Sequence, residues 1–427
     1  MTSPTTAAEL PPALFYRARH LWVEGVALER IARDVGTPAY VYSKARLLDN
    51  LRQFQDGFKS MNHLVMFAMK ANSNGAILSL LGKAGAGADI VSGGELFRAR
   101  RAGIPPHKIV FSGVGKRADE IRAALETGIL MFNVESVEEL QLIDRVAASI
   151  HKAAPVAIRV NPDVDAMTHD HITTGKKENK FGIAIDKAFP VFQMAAKLPR
   201  INLQGIHAHI GSQITSVRPY AATLTRLLKL VDQLEESGIA VSHLDLGGGL
   251  GVRYKDETPP TPQALAGELR KQLHGREITL LLEPGRYIVA DAGILLTKVL
   301  FRKTAGSKHF IIVDAAMNDL ARPALYDAYH GIYPLQIKNG TMISADIVGP
   351  VCESGDYLAR QRKLAQPEQG DMLAVAMAGA YGYAMSSQYN SRPRPPEVIV
   401  HGTRWMVLRE RETLEDLVRG ERIPADL

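Results

Sequence analysis

Short apolar runs alternating with longer amphipathic stretches constrain this chain more than anything else in it. The runs fall at residues 64–70, 88–92, 109–112, 130–134, 156–160, 205–210, 243–246 and 278–283. Each is too short for a helix and apolar enough for a buried strand. Between most of them lie stretches with helical spacing, at 76–86, 94–102, 118–126, 136–148 and 219–237. About eight strand–helix units in series predict an α/β fold, a TIM-like parallel (β/α)8 barrel; the alternative left open by the pattern is a doubly wound open sheet. Beyond Gly285 the texture changes. Runs at 296–303, 309–314, 341–347, 372–376 and 398–407 follow one another without long helices, which reads as a C-terminal β-rich domain. The expected organisation is a barrel over 43–286, a β-rich domain over 287–427, and an N-terminal segment over 1–42 that joins the β-rich part through a strand-like stretch at 40–42. Long loops are expected at 161–180 and around 386–396.

A chain of 427 residues can enclose an active site within such a core. Its formal net charge of +6 comes from basic residues scattered among acidic ones, without an aromatic-basic patch. That favours anionic small molecules as partners and argues against nucleic acid. The single cysteine, Cys352, excludes an intramolecular disulfide and a thiolate metal cage. No apolar run is long enough to span a bilayer, and residues 1–12 carry neither the basic nor the apolar region of a secretory signal. A cytoplasmic protein without membrane contact is expected.

Active sites of such barrels sit at the C-terminal ends of the strands, and phosphate is often held after strands seven and eight. Strand seven leads into Gly247-Gly248-Gly249, and strand eight into Glu283-Pro284-Gly285-Arg286. Adjacent glycines leave backbone N–H groups open to a phosphate, although a glycine triplet also suits a plain turn. An acid such as Glu283 at the end of an apolar strand is costly unless it is paired or functional. It can form an ion pair with Arg286 or hold a protonated ring nitrogen. Lys70 ends the first run, where a desolvated amine becomes able to attack an aldehyde and keep it as a Schiff base. The alternative is a lysine that only returns the chain to solvent.

In the sixth run His207 and His209 share a face. His209, at the strand end, can stack on a flat ring, and Ser212 just beyond can donate to phosphate. No metal is expected, because no acidic or histidine partner sits at ligand spacing beside the pair. In the β-rich part, Arg322 and Tyr326 offer a carboxylate fork with a phenol nearby. Cys352 and Glu353 group a thiol with an acid, and Tyr381 is a glycine-flanked aromatic able to reach a ligand.

Taken in order, these elements resemble the fold-type III pyridoxal-phosphate decarboxylases almost end to end. The resemblance is carried by Lys70-Ala71-Asn72, Ser92-Gly93-Gly94-Glu95, Arg159-Val160-Asn161-Pro162, Thr173-Thr174-Gly175 and Lys180-Phe181-Gly182. It continues through His207 to Ser212, Gly247 to Gly249, Glu283 to Arg286, Cys352 to Asp356 and the segment from Met385 to Arg392. It implies pyridoxal 5'-phosphate bound to Lys70 as a Schiff base, with His209, Ser212, Gly248, Gly249, Glu283, Gly285, Arg286 and Tyr381 around it. It further implies decarboxylation of meso-diaminopimelate to L-lysine, the last step of lysine biosynthesis. Arg286, Arg322 and Tyr326 would then hold the distal carboxylate, Glu353 the distal amine, with Tyr381 alongside. Cys352 would protonate the product carbon, reaching it across a homodimer with shared sites. The segment from Asn161 to Gly182 resembles the family's lid loop.

Overall fold

The structure is a computed structural model, and it describes residues 10–165 and 180–426. The Thr173-Thr174-Gly175 element of the expected lid lies outside those residues. Among the described residues the chain forms two compact units. One comprises Leu48–Arg253 and Glu257–Ile288; the other comprises the chain up to Leu47, Tyr254–Asp256 and the chain from Val289 onward.

In the first unit eight parallel strands close on themselves. They are β1 (His63–Ala68), β2 (Gly87–Ile90), β3 (Ile109–Phe111), β4 (Met131–Val134), β5 (Ala154–Asn161), β6 (Ile201–His207), β7 (His243–Asp245) and β8 (Thr279–Leu282). β8 pairs with β1, Leu281 opposite Leu64, which completes the ring and removes the open-sheet alternative. The expected helices are present at Gly75–Lys83, Gly93–Arg101, Ala118–Thr127, Val137–Ser149 and Arg218–Glu236. Helices at Ile185–Ala195 and Pro262–Leu273 escape the pattern because each contains a proline. Pro262 sits in the first turn, where its missing N–H costs nothing, and the Thr261 side chain caps the helix by accepting from the Ala264 N–H.

Local chemistry keeps the loops at the C-terminal strand ends short. Ser92 and Ser136 each accept a hydrogen bond from the N–H three residues on, Glu95 and Glu139 respectively. Those glutamates reach back to the N–H groups of Val91 and Glu135, so the first helical turn is capped from both directions. Each helix therefore begins just after its strand ends.

The barrel interior is layered in a way that follows from strand geometry. Met66, Val110, Met131, Ala157 and Leu281 form a fully buried apolar cluster. Side chains two apart on a strand share a face, so the next inward residue just past β3, on β4 and β5, and just past β8, is Ser112, Asn133, Arg159 and Glu283. An apolar layer thus lies beneath a polar one, and the polar one is at the C-terminal end where barrels carry their chemistry.

The second unit is built on a mostly antiparallel sheet. The strand Ala39–Ser43, buried throughout, lies between Gly293–Ala305 and Glu397–His401. The chain's N-terminal part is thereby woven into the C-terminal sheet. The strand Tyr357–Ala365, which the sequence pattern does not reveal, pairs with Met342–Val348 at the sheet's edge. Its centre carries Arg360, Gln361, Arg362 and Lys363; charge of this kind discourages pairing with another chain, and it also hides the strand from a search for apolar runs. Among the described residues no helix is long and apolar enough to cross a membrane.

Candidate active site

Lys70 stands in a single 3₁₀ turn, Met69–Ala71, directly after β1. Its Nζ donates to Asp89 Oδ2 at 3.1 Å, and Asp89, on β2, is completely buried. The other carboxylate oxygen of Asp89 has no hydrogen-bond partner. Burial and the neighbouring Glu283 charge push the Asp89 carboxyl up from its ordinary range, against the pull of the Lys70 amine. Gly285 faces the same turn: a Cβ there would stand 3.1 Å from the side chains of Ala68 and Ala71.

Glu283 is buried one residue past β8. Its Oε1 accepts from Asn133 Nδ2 at 3.3 Å and lies 3.5 Å from Ser112 Oγ, while Oε2 lies 3.6 Å from His207 Nε2. Burial alone would raise its pKa. The His207 and Lys70 charges and a hydrogen bond from Asp245 outweigh burial and hold the carboxyl well below the usual range. Asp245 behaves oppositely: burial and the Glu283 charge push it far up, so it keeps its proton and shares it with Glu283.

The expectation that no acid stands near His207 needs correction. Asp245 and Glu283 come from β7 and past β8, and ligand atoms of the three residues lie within 4.8 Å of one another. Closure of the ring juxtaposes residues far apart in sequence. A carboxyl that retains its proton is a poor metal ligand, and the cluster acts as an acid pair in which one member is ionised and the other neutral.

His209 Nδ1 accepts the Gly248 N–H at 3.1 Å, which leaves the hydrogen on Nε2. Burial, together with the Lys70 and Arg159 charges, holds its pKa well below the usual histidine value, so the ring is neutral. The glycines after β7 are required sterically. A Cβ on Gly248 would meet the Glu283 carbonyl oxygen at 2.1 Å, and one on Gly249, whose φ is +97°, would meet the Gly211 carbonyl oxygen at 2.2 Å. Arg286 Nη2 donates to Ser212 Oγ at 2.8 Å, so these two candidate anion-binding groups lie together. Lys70, His209, Ser212, Gly248, Gly249, Glu283, Gly285 and Arg286 thus gather at one end of the barrel.

Asp89, Ser112, Asn133 and Asp245 belong to this cluster and were not singled out from sequence. The period-two alternation on β3 and β4 carries a signal for Ser112 and Asn133, each one inward step beyond an apolar residue. Arg159 pairs with buried Glu135 at 2.6 Å and lies 4.7 Å from the Phe181 ring, while Glu135 also accepts the Gly182 N–H at 2.9 Å. This anchors the Lys180-Phe181-Gly182 end of the expected lid.

The remaining candidates belong to the β-rich unit. Arg322 and Tyr326 begin and end one short helix, with Arg322 buried. Cys352 and Glu353 are exposed; the Cys352 N–H donates to Asn390 and the Tyr389 hydroxyl donates to Glu353 at 2.9 Å. Tyr381 is half-buried and holds a left-handed φ of 55°.

An amine able to hold an aldehyde and a buried ionised carboxylate able to hold a protonated ring nitrogen stand at the same end of one barrel. Asp89 has an unpartnered oxygen there as well, so the cluster suits a cationic guest, and the donor set fits pyridoxal phosphate. Fold and site together define a barrel enzyme whose donor set fits a carbonyl-bearing cofactor. Residues 44–290 match the pyridoxal-dependent decarboxylases over their pyridoxal binding domain. The chain is 54% identical to diaminopimelate decarboxylase of Pseudomonas aeruginosa, covering 95% of this chain and 98% of that one. It resembles the crystal structure of diaminopimelate decarboxylase from M. jannaschii in co-complex with L-lysine at a TM-score of 0.94, with 38% identity over 98% of this chain and 100% of that one. The Helicobacter pylori diaminopimelate decarboxylase complexed with L-lysine gives a TM-score of 0.89 and 43% identity over 92% and 98% of the two chains. The chain belongs to the pyridoxal-dependent decarboxylases, in the diaminopimelate decarboxylase branch.

Proposed function

We propose that the chain decarboxylates meso-diaminopimelate, releasing carbon dioxide and L-lysine, as the last step of lysine formation in the cytoplasm. The observation that carries this reading is the Lys70 amine beside an ionised, buried Glu283 in a chain similar over nearly its whole length to diaminopimelate decarboxylases. Pyridoxal phosphate, when bound, supplies an electron sink for the carbanion left as carbon dioxide departs.

Lys70, whose Nζ lies against buried Asp89, would hold the cofactor through its aldehyde. Glu283 would hold a proton on the ring nitrogen, and Asp245, Asn133 and Ser112 fix the carboxylate for that task. His209, whose plane is set by the Gly248 N–H, would pack on the ring. Ser212, Gly248, Gly249, Gly285 and Arg286 take the phosphate, with Tyr381 as a further cofactor and substrate contact.

The distal end of the substrate is itself an amino acid, so its carboxylate needs cations and its ammonium an acid. Arg286, Arg322 and Tyr326 fill the first role and Glu353 the second. Cys352 delivers the proton that replaces the lost carboxyl group, from the second subunit of a homodimer.

The test is to give the purified, cofactor-loaded protein meso-diaminopimelate, the LL isomer and ornithine separately, and to assay carbon dioxide and L-lysine. Lysine from the meso isomer alone is expected. Release of carbon dioxide from ornithine but not from the meso isomer would sink the assignment.

A further inference from the structure

His330 is completely buried in the β-rich unit, and its two ring nitrogens have different partners. Nδ1 lies 2.8 Å from the carbonyl oxygen of Ala376, which can only accept, so Nδ1 carries the hydrogen. Nε2 therefore presents a lone pair. The group it meets, at 2.9 Å, is Nη1 of Arg322, which can only donate. The tautomer is thus set by a backbone carbonyl on one side and spent on a guanidinium on the other.

Arg322 is held from a second direction. Its guanidinium carbon stands 4.5 Å from the centre of the Tyr254 ring, and Tyr254 meets the His330 ring edge-on at 5.7 Å. The backbone of His330 is tied as well, its carbonyl accepting from Arg362 Nη2 at 3.2 Å. The His330 Nε2 lone pair and the Tyr254 ring both carry no net charge, and each fixes the plane of the guanidinium, which is what a fork for an incoming carboxylate needs.

We propose that His330 is a positioning residue for substrate recognition: locked by Ala376, it aims Arg322 at the distal carboxylate of diaminopimelate. The inference rests on the reading of Arg322 as that carboxylate's fork. It concerns how the fork is preset, since a guanidinium already in place loses less freedom when the substrate binds.

Two variants separate the two ends of the imidazole. His330→Asn keeps an N–H for Ala376 and is too short to offer Arg322 an acceptor, whereas His330→Gln places a carbonyl oxygen near the position of Nε2. In the cofactor-loaded enzyme, His330→Asn is expected to raise KM for meso-diaminopimelate about tenfold or more while kcat stays within about threefold. His330→Gln is expected to recover KM to within about threefold of the parent. Added to Arg322→Gln, His330→Asn should change KM no further, because the group it positions is gone. Cofactor absorbance should be the same in every variant.

Equal KM increases for the Asn and Gln variants, a fall in kcat at unchanged KM, or full additivity with Arg322→Gln would overturn the proposal. The two readings fail differently. If Arg322→Gln leaves KM unchanged, the assignment of Arg322 falls and this inference falls with it. If Arg322→Gln raises KM and His330→Asn does not, only the positioning role falls.

Discussion

The Nζ of Lys70 lies 3.1 Å from a carboxylate oxygen of Asp89, a residue with no exposure of its own. A buried carboxylate beside the amine favours the charged form of whatever nitrogen stands there. Asp89→Asn should therefore shift the pH midpoint of the bound-cofactor absorbance downward, by about one unit. Lys70→Ala should abolish that absorbance. A midpoint that stays put in Asp89→Asn would show that the ion pair does not tune the amine.

Glu283 and Asp245 share one proton, and the two should respond differently to amide substitution. Glu283→Gln removes the charge proposed to face the ring nitrogen and should lower kcat by about a hundredfold or more. Asp245→Asn keeps a hydrogen-bond donor toward Glu283 and should cost about tenfold or less. Steady-state kinetics on meso-diaminopimelate settle the ranking, and equal losses would mean that Asp245 is not the neutral member.

Two further acids make stability depend on pH near neutrality. Burial raises Glu95 to about 7 and Asp319 to about 7, each against hydrogen bonds and charges that pull it down. The folded state then binds more protons than the unfolded one, in which such acids titrate near about 4. The stabilising contribution is complete below the unfolded pKa and is lost as pH rises through about 7. The loss should reach up to about 4 kcal/mol per group. Thermal unfolding should show Tm falling between about pH 4 and 7.5, less steeply in Glu95→Gln and nearly flat in Glu95→Gln with Asp319→Asn. An unchanged slope in the double variant would refute the assignment.

Gly249→Ala should destabilise the barrel by about 2 kcal/mol or more, because both the positive φ and the Gly211 carbonyl oxygen, 2.2 Å from the added Cβ, oppose it. Denaturant unfolding of the cofactor-free protein measures this directly. Stability equal to that of the parent would show that the turn can rearrange.

Mixing two inactive variants tests the proposal that two chains share each site. Cys352→Ala and Lys70→Ala should each lose most lysine formation. Co-refolded at equal amounts, they should regain up to about a quarter of parental activity, since half of the dimers are mixed and each of those holds one intact site. No recovery would place both residues in the same chain's site, and full activity of Cys352→Ala alone would remove the thiol from the reaction.

Much of this protein is legible without coordinates. The period of the apolar runs determined the alternation of buried parallel strands and helices, because a strand buried on both faces has few ways to be written, while the pairing of β8 with β1 decided a closed barrel over an open sheet. The glycines after β7, Lys70 after β1 and Glu283 after β8 could be read as a site because barrel chemistry gathers at that end. Charge in the centre of Tyr357–Ala365 and prolines in two helices concealed elements whose stability comes from their neighbours and caps.

What only the tertiary structure decided is which groups share protons. Asp89, Asn133 and Asp245 are unremarkable residues in three separate strands, and each is ionised, neutral or hydrogen-bonded according to what closure of the ring sets beside it. The same holds for His330, whose tautomer is chosen by a carbonyl 46 residues away. Sequence periodicity encodes which face a side chain takes; burial and distance, which set its charge, exist only once the strands have met.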